Sequence, residues 1–572
     1  MRYKHIAMLL ALVLTGSLAA CGAQPGEQLS PAELFAQTGR EYGRAPVPLS
    51  EIEMLRPDVK ALDAEMTAIR QALEESCTLA EAFEHMMQAK DIIDAFDSFY
   101  VLSEFYCDWD STDKSSKADL RFCRENYERA DRWWSDITRT IEDGPYAESL
   151  LPVWRPWEEA PEQQNYDSAR SEQLLEEIET LADEAEDILT TATVGGKGKS
   201  MTLDEAFDAQ NWKEVCANWL AAYGEELLDI YTELVVLRGA LARECYRAES
   251  FSHYIFAENQ WDYTPQMTQR MVDDIVTWLL PLDDELTDAG YWDRMYEDYC
   301  KAEDFIERAR PVFERMGGEI APAFELLLEN ELWRSKGNVN SHGRPYANYL
   351  PSYRVALVFS PYDGDASSIM SFTHEFGHFY EYYLSMDAYS RGMDISEVHS
   401  QAMTLLFAEE YSRLYQEDAL RELALVDLVD TLAYQSFNAT VELAAYALPA
   451  EEISAERLLE IGRETCAHYG YGDGNRMLAD YYWLLDEELF SDPFLPFGYV
   501  TSAGAAFELW RLAQEDMAAA LEAYALLARH EGGEALLLNL EAAGLQSPFG
   551  DDWSEAAAQR LRTELFAADK AA

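Results

Sequence analysis

Two histidines four residues apart constrain this chain more than any other feature of its sequence. They belong to the segment His374-Glu-Phe-Gly-His378, an H-E-x-x-H pattern. On a helix, positions i and i+4 lie on one face, so both imidazoles can reach a single metal ion. Glu375 lies next to His374 and can accept a proton from a water molecule held there. The pattern therefore predicts a helix that carries two metal ligands and a general base.

The residues around the motif predict that this helix is buried and uninterrupted, because apolar side chains flank it and proline is absent. The apolar positions are Ile369, Met370, Phe372, Phe376 and Phe379. Gly377 is the exception, since glycine costs about 1 kcal/mol in a helix interior. We expect the close approach of a neighbouring strand or of a substrate to explain the glycine.

A third metal ligand is expected downstream, because catalytic zinc sites use three protein ligands and leave one position open. Residues 392–406 have the apolar spacing of a second amphipathic helix and contain both Glu397 and His399. Two residues apart on a helix, these side chains point about 200° away from each other. Both cannot readily face one ion, so they are competing candidates.

The two segments resemble the thimet oligopeptidase and oligoendopeptidase F family of zinc peptidases. The family pattern is H-E-x-G-H, followed by a zinc-ligand Glu in a segment that ends Ser-Gln, as in Glu397-Val-His-Ser-Gln401. Similarity continues in residues 237–243, 263–269 and 492–503, and it extends over residues 195–565 in all. The resemblance singles out Glu397 as the third ligand and implies one Zn²⁺ per chain.

The fold that the resemblance implies is mainly α. It is a two-lobed helical metallopeptidase with a deep central channel, which cleaves short unstructured oligopeptides. A small β-sheet is expected beside the H-E-x-x-H helix, because residues 349–360 are rich in β-branched and aromatic side chains. Such a strand can either pair with an extended peptide by edge addition or form a structural hairpin.

This chain departs from one part of the family pattern. Family members carry a His, then Pro-Phe-Tyr-Tyr, then a further Tyr, and these groups stabilise the tetrahedral intermediate. Tyr499 is present here as the last of them, but Leu495 and Pro496 stand at the paired tyrosines. The His position falls near Glu488. Loss of one oxyanion donor lowers kcat by about 10²–10³-fold, so the departure bears directly on turnover.

Three hypotheses follow for the function. The first is a zinc endopeptidase in which Glu375 activates water, Tyr499 stabilises the oxyanion, and Gln401 or Asp394 orients a ligand. The second is a zinc-containing peptide-binding lipoprotein with little or no hydrolysis, although an intact Glu375 argues against a pure binder. The third is a structural zinc site, which ranks last because three ligands are one short of a closed site.

The N-terminus has the pattern of a bacterial export signal. Arg2 and Lys4 precede an apolar run over residues 6–14, and Leu18-Ala-Ala-Cys21 resembles a lipobox. This predicts removal of residues 1–20 and lipid attachment to Cys21, which would anchor the protein at the extracytoplasmic face of a bacterial cell membrane. The alternative is a plain secretory signal with a chance cysteine. No later stretch has the roughly 18 apolar residues of a transmembrane helix.

The remaining organisation is predicted from composition and periodicity. A tether over residues 21–48 would precede an N-terminal helical lobe over 49–192 and a catalytic lobe over 193–572. Residues 193–200 are expected to form a turn at this boundary, followed by a capping box at Thr202 and Glu205. The last helix is expected over residues 553–565. Four tryptophans of the first lobe are expected to pack in its core: Trp133, Trp134, Trp154 and Trp157.

The net charge and the cysteine content limit which binding partners and disulfides are expected. With a net charge of −62, nucleic-acid binding is not expected. The charge fits a heavily solvated surface, or an acidic cleft that attracts cationic peptides. Seven cysteines remain after Cys21, an odd and widely spread set without metal-site spacing. Among them, Cys107 and Cys123 could form a disulfide.

Overall fold

The computed structural model describes most of the chain, and the described residues are 31–39, 47–52, 54–155, 164–196, 199–207, 209, 211–297, 299–334, 344–385, 392–472, 474–529 and 535–566. The predicted signal peptide (1–20) and Cys21 lie outside them. Among the described helices, none combines the length and apolar character needed to cross a membrane.

The described residues are mainly helical, which confirms the predicted fold class. The α-helices are Pro31–Thr38, Val59–Glu74, Leu79–Trp109, Lys114–Glu142, Ala147–Trp154, Ser168–Thr191, Leu203–Phe207, Trp212–Ala240, Phe251–Glu258, Pro265–Trp278, Leu280–Asp288, Tyr291–Met295, Ala302–Met316, Ile320–Glu329, Ala366–Ser385, Met393–Tyr415, Ala419–Tyr446, Ala455–His468, Arg476–Tyr481, Glu488–Ser491, Leu495–Glu515, Met517–Leu527, Leu536–Ala542 and Trp553–Phe566. Two antiparallel pairs supply the strands: Val194–Gly196 with Lys199–Met201, and Tyr346–Leu350 with Val355–Phe359.

Packing divides the chain into two compact units. The first contains the described parts of residues 1–161, 300–364 and 378–390, and the second contains those of 162–299, 365–377 and 391–572. In the second unit, helix Ser168–Thr191 packs against Trp212–Ala240. The second unit thus begins at residue 162. The lobe boundary predicted between residues 192 and 193 stays a prediction. The helix Ala366–Ser385 is continuous across the division.

The first unit has its core where helices 79–109, 114–142 and 147–154 meet. Trp134 and Trp154 stack with ring centroids 4.3 Å apart, and Trp133 is buried with its indole N–H donated to Asp63 at 2.9 Å. The predicted core role of these three tryptophans is confirmed, while Trp157 lies outside the described residues.

Part of the predicted tether belongs to this folded unit. Residues Pro31–Thr38 form a helix, and its Leu34 is fully buried in the core of the first unit. Phe35 packs edge-to-face on Phe83 with centroids 5.1 Å apart. The sequence prediction overlooked this helix because its apolar residues are few and lie among polar ones. What holds it is tertiary packing rather than an intrinsic helical pattern.

The single strand predicted over residues 349–360 is wrong, because this range contains the turn of a β-hairpin in the first unit: the end of strand Tyr346–Leu350, a short helical turn and strand Val355–Phe359. Tyr346 pairs with Phe359 and Leu350 with Val355, and the turn includes Arg354 at φ 52°. Strand Val355–Phe359 is buried throughout and also bridges Trp333. The outer strand, Tyr346–Leu350, is held by its side chains to helix 79–109, where the Tyr346 hydroxyl donates to Asp108 at 3.0 Å.

The segment near residue 200 and the cysteines behave largely as expected. Strands Val194–Gly196 and Lys199–Met201 pair antiparallel. The predicted capping box follows, in which the Glu205 N–H donates to the Thr202 hydroxyl at 3.3 Å and the Thr202 N–H to Glu205 at 3.2 Å. The seven described cysteines are free thiols. Cys107 and Cys123 therefore form no disulfide here, and the Cys123 thiol lies 3.9 Å from the Ser103 hydroxyl instead.

We predict that Leu34→Ala lowers the free energy of unfolding by about 2–5 kcal/mol, because it empties a fully buried site. The control is Leu55→Ala, since Leu55 is 72% exposed and its loss should change stability little. Both variants are compared by denaturant unfolding of protein that lacks residues 1–21. Equal stability of Leu34→Ala and wild type would show that residues 31–38 act as a tether.

Candidate metal centre

The motif helix, Ala366–Ser385, presents His374 and His378 one turn apart. A second helix, Met393–Tyr415, which we call the glutamate helix, crosses it at Gly377. A Cβ atom on Gly377 would lie 2.4 Å from the carbonyl oxygen of His399 and 2.5 Å from the Cα of Ser400. The expected reason for this glycine was a strand or a substrate. The structure corrects this, because the close neighbour is the backbone of the glutamate helix.

The close helix contact brings three ligand atoms together. Nitrogens of His374 and His378 and a carboxylate oxygen of Glu397 all lie within 4.8 Å of one another. His374 Nε2 is 3.2 Å from Glu397 Oε2, close to the roughly 3.3 Å that separates ligand atoms around a tetrahedral zinc ion with bonds of about 2.0–2.1 Å. Two imidazoles and one carboxylate form the ligand set of a catalytic zinc site with an open fourth position. The residues present therefore fit zinc.

Several neighbours support these ligands. The Ser400 hydroxyl donates to Glu397 Oε2 at 2.7 Å. His378 Nδ1 lies 3.9 Å from the buried carboxylate of Glu381. Burial raises the pKa of Asp427, and the nearby His374 opposes that rise. Carboxylates and hydroxyls of this kind orient metal ligands. The sequence prediction missed all three, because Asp427 comes from a distant helix and Ser400 and Glu381 look ordinary in sequence.

His399 lies apart from the three ligands. Its side chain is fully buried and packs edge-to-face on the ring of Tyr524, with centroids 5.6 Å apart. The Tyr524 hydroxyl also donates to the His399 carbonyl oxygen at 2.9 Å. Of the two competing ligands, the structure thus brings Glu397 to the histidines and packs His399 into the core.

The proposed acid–base and oxyanion residues occupy two helices. Glu375 is buried next to His374 on the motif helix. Tyr499 is half-buried near the start of a third helix, Leu495–Glu515, which we call the tyrosine helix. Gln401 donates to the Tyr499 carbonyl oxygen at 3.5 Å. Asp394 is buried and accepts from Tyr263 at 3.2 Å. Gln401 and Asp394 therefore tie the glutamate helix to its neighbours, while Ser400 contacts the ligand itself.

The start of the tyrosine helix explains how the missing tyrosines are accommodated. Phe494 caps the helix with φ 67°, and Pro496 occupies one of the first two helical positions. Proline suits this position, because its fixed φ is helical and its missing N–H is not needed there. Leu495 is half-buried and Pro496 is buried. Both positions thus carry apolar side chains where the family pattern has hydroxyl groups.

Several carboxyl groups of the second unit interact with one another. Burial, followed by repulsion from Asp283 and Asp427, raises the pKa of Asp430 to about 8. Burial and the neighbouring Asp284 raise the pKa of Asp283 to about 6. Asp427 also interacts with His374, so this group of acids adjoins one of the candidate metal ligands. Because its pKa is raised to about 8, Asp430 is largely protonated at pH 7.

Comparisons with known proteins agree with this fold. Residues 49–156 match the family described as Peptidase M3 N-terminal domain. No curated protein sequence matches the chain.

Solved structures match almost the whole chain. One described as oligoendopeptidase F is 22% identical with a TM-score of 0.71, covering 92% of this chain and 100% of its own. PZ peptidase A with an inhibitor is 19% identical with a TM-score of 0.70, covering 91% and 100%. A Bacillus anthracis protein described as oligoendopeptidase F is 20% identical with a TM-score of 0.67, covering 92% and 99%. These matches confirm the predicted resemblance to the oligoendopeptidase F family in fold.

We predict that Gly377→Ala destabilises the metal-free protein by about 1–3 kcal/mol, because its methyl group overlaps the backbone of the glutamate helix. Zinc binding should weaken as well, since separating the helices moves Glu397 away from the histidines. Gly195→Ala is the control, because its methyl group would meet nothing within 4 Å. Denaturant unfolding and zinc calorimetry measure both effects. Unchanged stability and affinity in Gly377→Ala would contradict the helix contact.

Zinc affinity also separates the two candidate ligands. Glu397→Gln should lower it by more than about 100-fold, since even a residue that only supports a ligand is worth about 10–100-fold. His399→Gln should lower stability, because His399 is fully buried, but leave zinc affinity unchanged. The opposite pattern, with zinc lost in His399→Gln and kept in Glu397→Gln, would make His399 the third ligand.

Proposed function

We propose that the protein is a zinc-dependent endopeptidase that hydrolyses short unstructured oligopeptides. The observation that carries this proposal is the convergence of His374, His378 and Glu397 within 4.8 Å, with Glu375 buried beside them. Oligoendopeptidase F and PZ peptidase A share the fold, and the N-terminal family match points to the same class.

His374, His378 and Glu397 would hold the ion, with Ser400 fixing the carboxylate of Glu397. Zinc, when bound in such a site, acts as a Lewis acid on a carbonyl oxygen and makes water easier to deprotonate. Glu375 accepts a proton from the attacking water as oxygen bonds to the scissile carbonyl carbon. When the C–N bond breaks, the same carboxyl returns the proton to the leaving amine. The Tyr499 hydroxyl donates to the developing oxyanion.

The proposed location is the extracytoplasmic face of a bacterial cell membrane, with a lipid anchor on Cys21. Support comes from the lipobox-like Leu18-Ala-Ala-Cys21 behind a basic start and an apolar run. Oligopeptides are the proposed partners. The net charge of −62 favours peptides that carry positive charge, because a negative field raises the local concentration of such peptides.

The second candidate is a zinc-containing peptide-binding lipoprotein with little or no hydrolysis. One observation supports this second candidate: Leu495 and Pro496 carry apolar side chains at the start of the tyrosine helix, in place of two hydroxyl donors. Removal of such donors slows acyl-transfer chemistry by about 10²–10³-fold each.

The test between the two incubates zinc-loaded protein without residues 1–21 with a pool of short peptides, with and without a chelator. Mass spectrometry identifies the products. Internal cuts that the chelator abolishes support the endopeptidase. If protein that holds one zinc per chain cleaves no peptide but binds peptides in equilibrium dialysis, the result supports the peptide-binding lipoprotein.

We predict that Glu375→Gln lowers the cleavage rate by at least about 10²–10⁴-fold, the range that a general base supplies, while zinc stoichiometry stays at one. The control is Glu409→Gln, which alters a buried glutamate paired to Arg413 on the glutamate helix and should keep cleavage. Single-turnover kinetics and zinc analysis measure both. Cleavage by Glu375→Gln at the wild-type rate would rule out the proposed mechanism.

A further inference from the structure

The turn that leads into the tyrosine helix is held by a buried carboxylate. Phe494 caps the helix in the left-handed region, with φ 67°, which a non-glycine residue adopts only when its surroundings enforce it. Its N–H donates to both carboxylate oxygens of Glu442, at 2.9 and 3.0 Å. Glu442 is fully buried and comes from helix Ala419–Tyr446. This helix therefore determines where the tyrosine helix begins.

A buried guanidinium holds the other end of the same turn. Arg238, 2% exposed, comes from helix Trp212–Ala240 and donates to the Leu489 carbonyl oxygen at 3.0 Å and to that of Phe490. Arg238 also donates to the Tyr446 hydroxyl at 2.8 Å. Residues 489–494, which we call the turn, run from within the short helix Glu488–Ser491 to the tyrosine helix and are thus fixed by hydrogen bonds from two helices.

Glu442 and Arg238, which we call the clamp, would be a poor choice if their role were only to stabilise the fold. Ionisable groups lose hydration when buried, and apolar replacements of similar volume are often as stable. Burial raises the pKa of Glu442 to about 8, although the Phe494 N–H and Arg238 oppose the rise. What the clamp provides is a defined backbone geometry, because both oxygens of Glu442 meet one N–H and Arg238 meets two successive carbonyl oxygens.

The clamped turn is directly connected to the candidate active site. Four residues beyond Phe494, Gly498 packs on the glutamate helix, and a Cβ atom there would lie 2.4 Å from Met393 Sδ. The next residue is Tyr499, whose carbonyl oxygen is in contact with Gln401. A change in the start of the tyrosine helix would therefore displace Tyr499 relative to the helix that carries Glu397.

We propose that Glu442 and Arg238 are positioning residues, which clamp the turn at 489–494 and thereby place the Tyr499 hydroxyl for the reaction. The proposal rests on the proposed peptidase function. With two of the family's tyrosines replaced by Leu495 and Pro496, the placement of Tyr499 carries more of the oxyanion stabilisation. Glu442 and Arg238 act through the backbone of Leu489, Phe490 and Phe494.

The experiment compares Glu442→Ala, Glu442→Gln and a matched control, Glu508→Ala. Glu508 is also buried, but it lies on the C-terminal half of the tyrosine helix itself and pairs with Trp553 and Arg511 at 3.0 and 2.8 Å. Steady-state kinetics on one peptide, zinc stoichiometry, unfolding midpoints and amide hydrogen exchange are measured for each variant.

We expect Glu442→Ala to lower kcat by about 10–100-fold, as a displacement near 1 Å does, with KM and zinc content unchanged. Glu442→Gln keeps one acceptor for the Phe494 N–H and should recover most of kcat. Glu508→Ala should lose stability but keep kcat. In Glu442→Ala, exchange should rise in residues 489–503 and not in 505–515, and Glu508→Ala should give the reverse.

An unchanged kcat in Glu442→Ala, or a kcat loss in Glu508→Ala that matches it, would overturn the proposal. Uniform exchange along the whole tyrosine helix would do the same. If Glu442→Ala does not fold, Arg238→Lys replaces it, because lysine keeps the charge but cannot reach two carbonyl oxygens with a planar fork. If the wild-type protein cleaves no peptide, the proposed function is refuted. The hydrogen-exchange pattern would still decide whether the clamp exists.

Discussion

The contact between Gly377 and the backbone of His399 and Ser400 is the constraint on which the candidate site depends. At a Cβ distance of 2.4 Å, only glycine allows the two helices to approach this closely. The approach places Glu397 beside His374 and lets Ser400 orient the carboxylate. It also turns His399 into the core against Tyr524. One missing side chain thus selects the third ligand and assigns its competitor to packing.

The second unit supports this contact by tying further helices to the glutamate helix. Gly498 lets the tyrosine helix pack against Met393, and Tyr263 donates to the buried Asp394 at the start of the glutamate helix. Asp427 lies near His374, and burial raises the pKa values of Asp430 and Asp283. Since closely packed carboxyls resist ionisation together, a cation bound beside them would lower these pKa values.

The sequence predicted what depends on local spacing and motif chemistry. The motif helix, the capping box at Thr202 and the final helix all follow from periodicities of three to four residues. The choice of Glu397 over His399 needed the family pattern, because helical spacing excludes only their joint use. Asp427 could not be found, because it comes from a helix distant in sequence. Ser400 lies three residues after Glu397 on the same helix, but nothing in its local pattern marked it as the partner of a ligand. Residues Pro31–Thr38 were assigned to a tether for the same reason, since Leu34 becomes buried only through tertiary packing.

We propose that this helix pair builds a three-ligand zinc site with one open position. Zinc K-edge X-ray absorption of the purified protein tests this proposal, because imidazole scattering and sulfur ligation have distinct signatures. We expect one zinc per chain, two imidazoles, and a nitrogen and oxygen shell at about 2.0–2.1 Å. Sulfur at about 2.3 Å, one imidazole or none, or no stoichiometric zinc would contradict it.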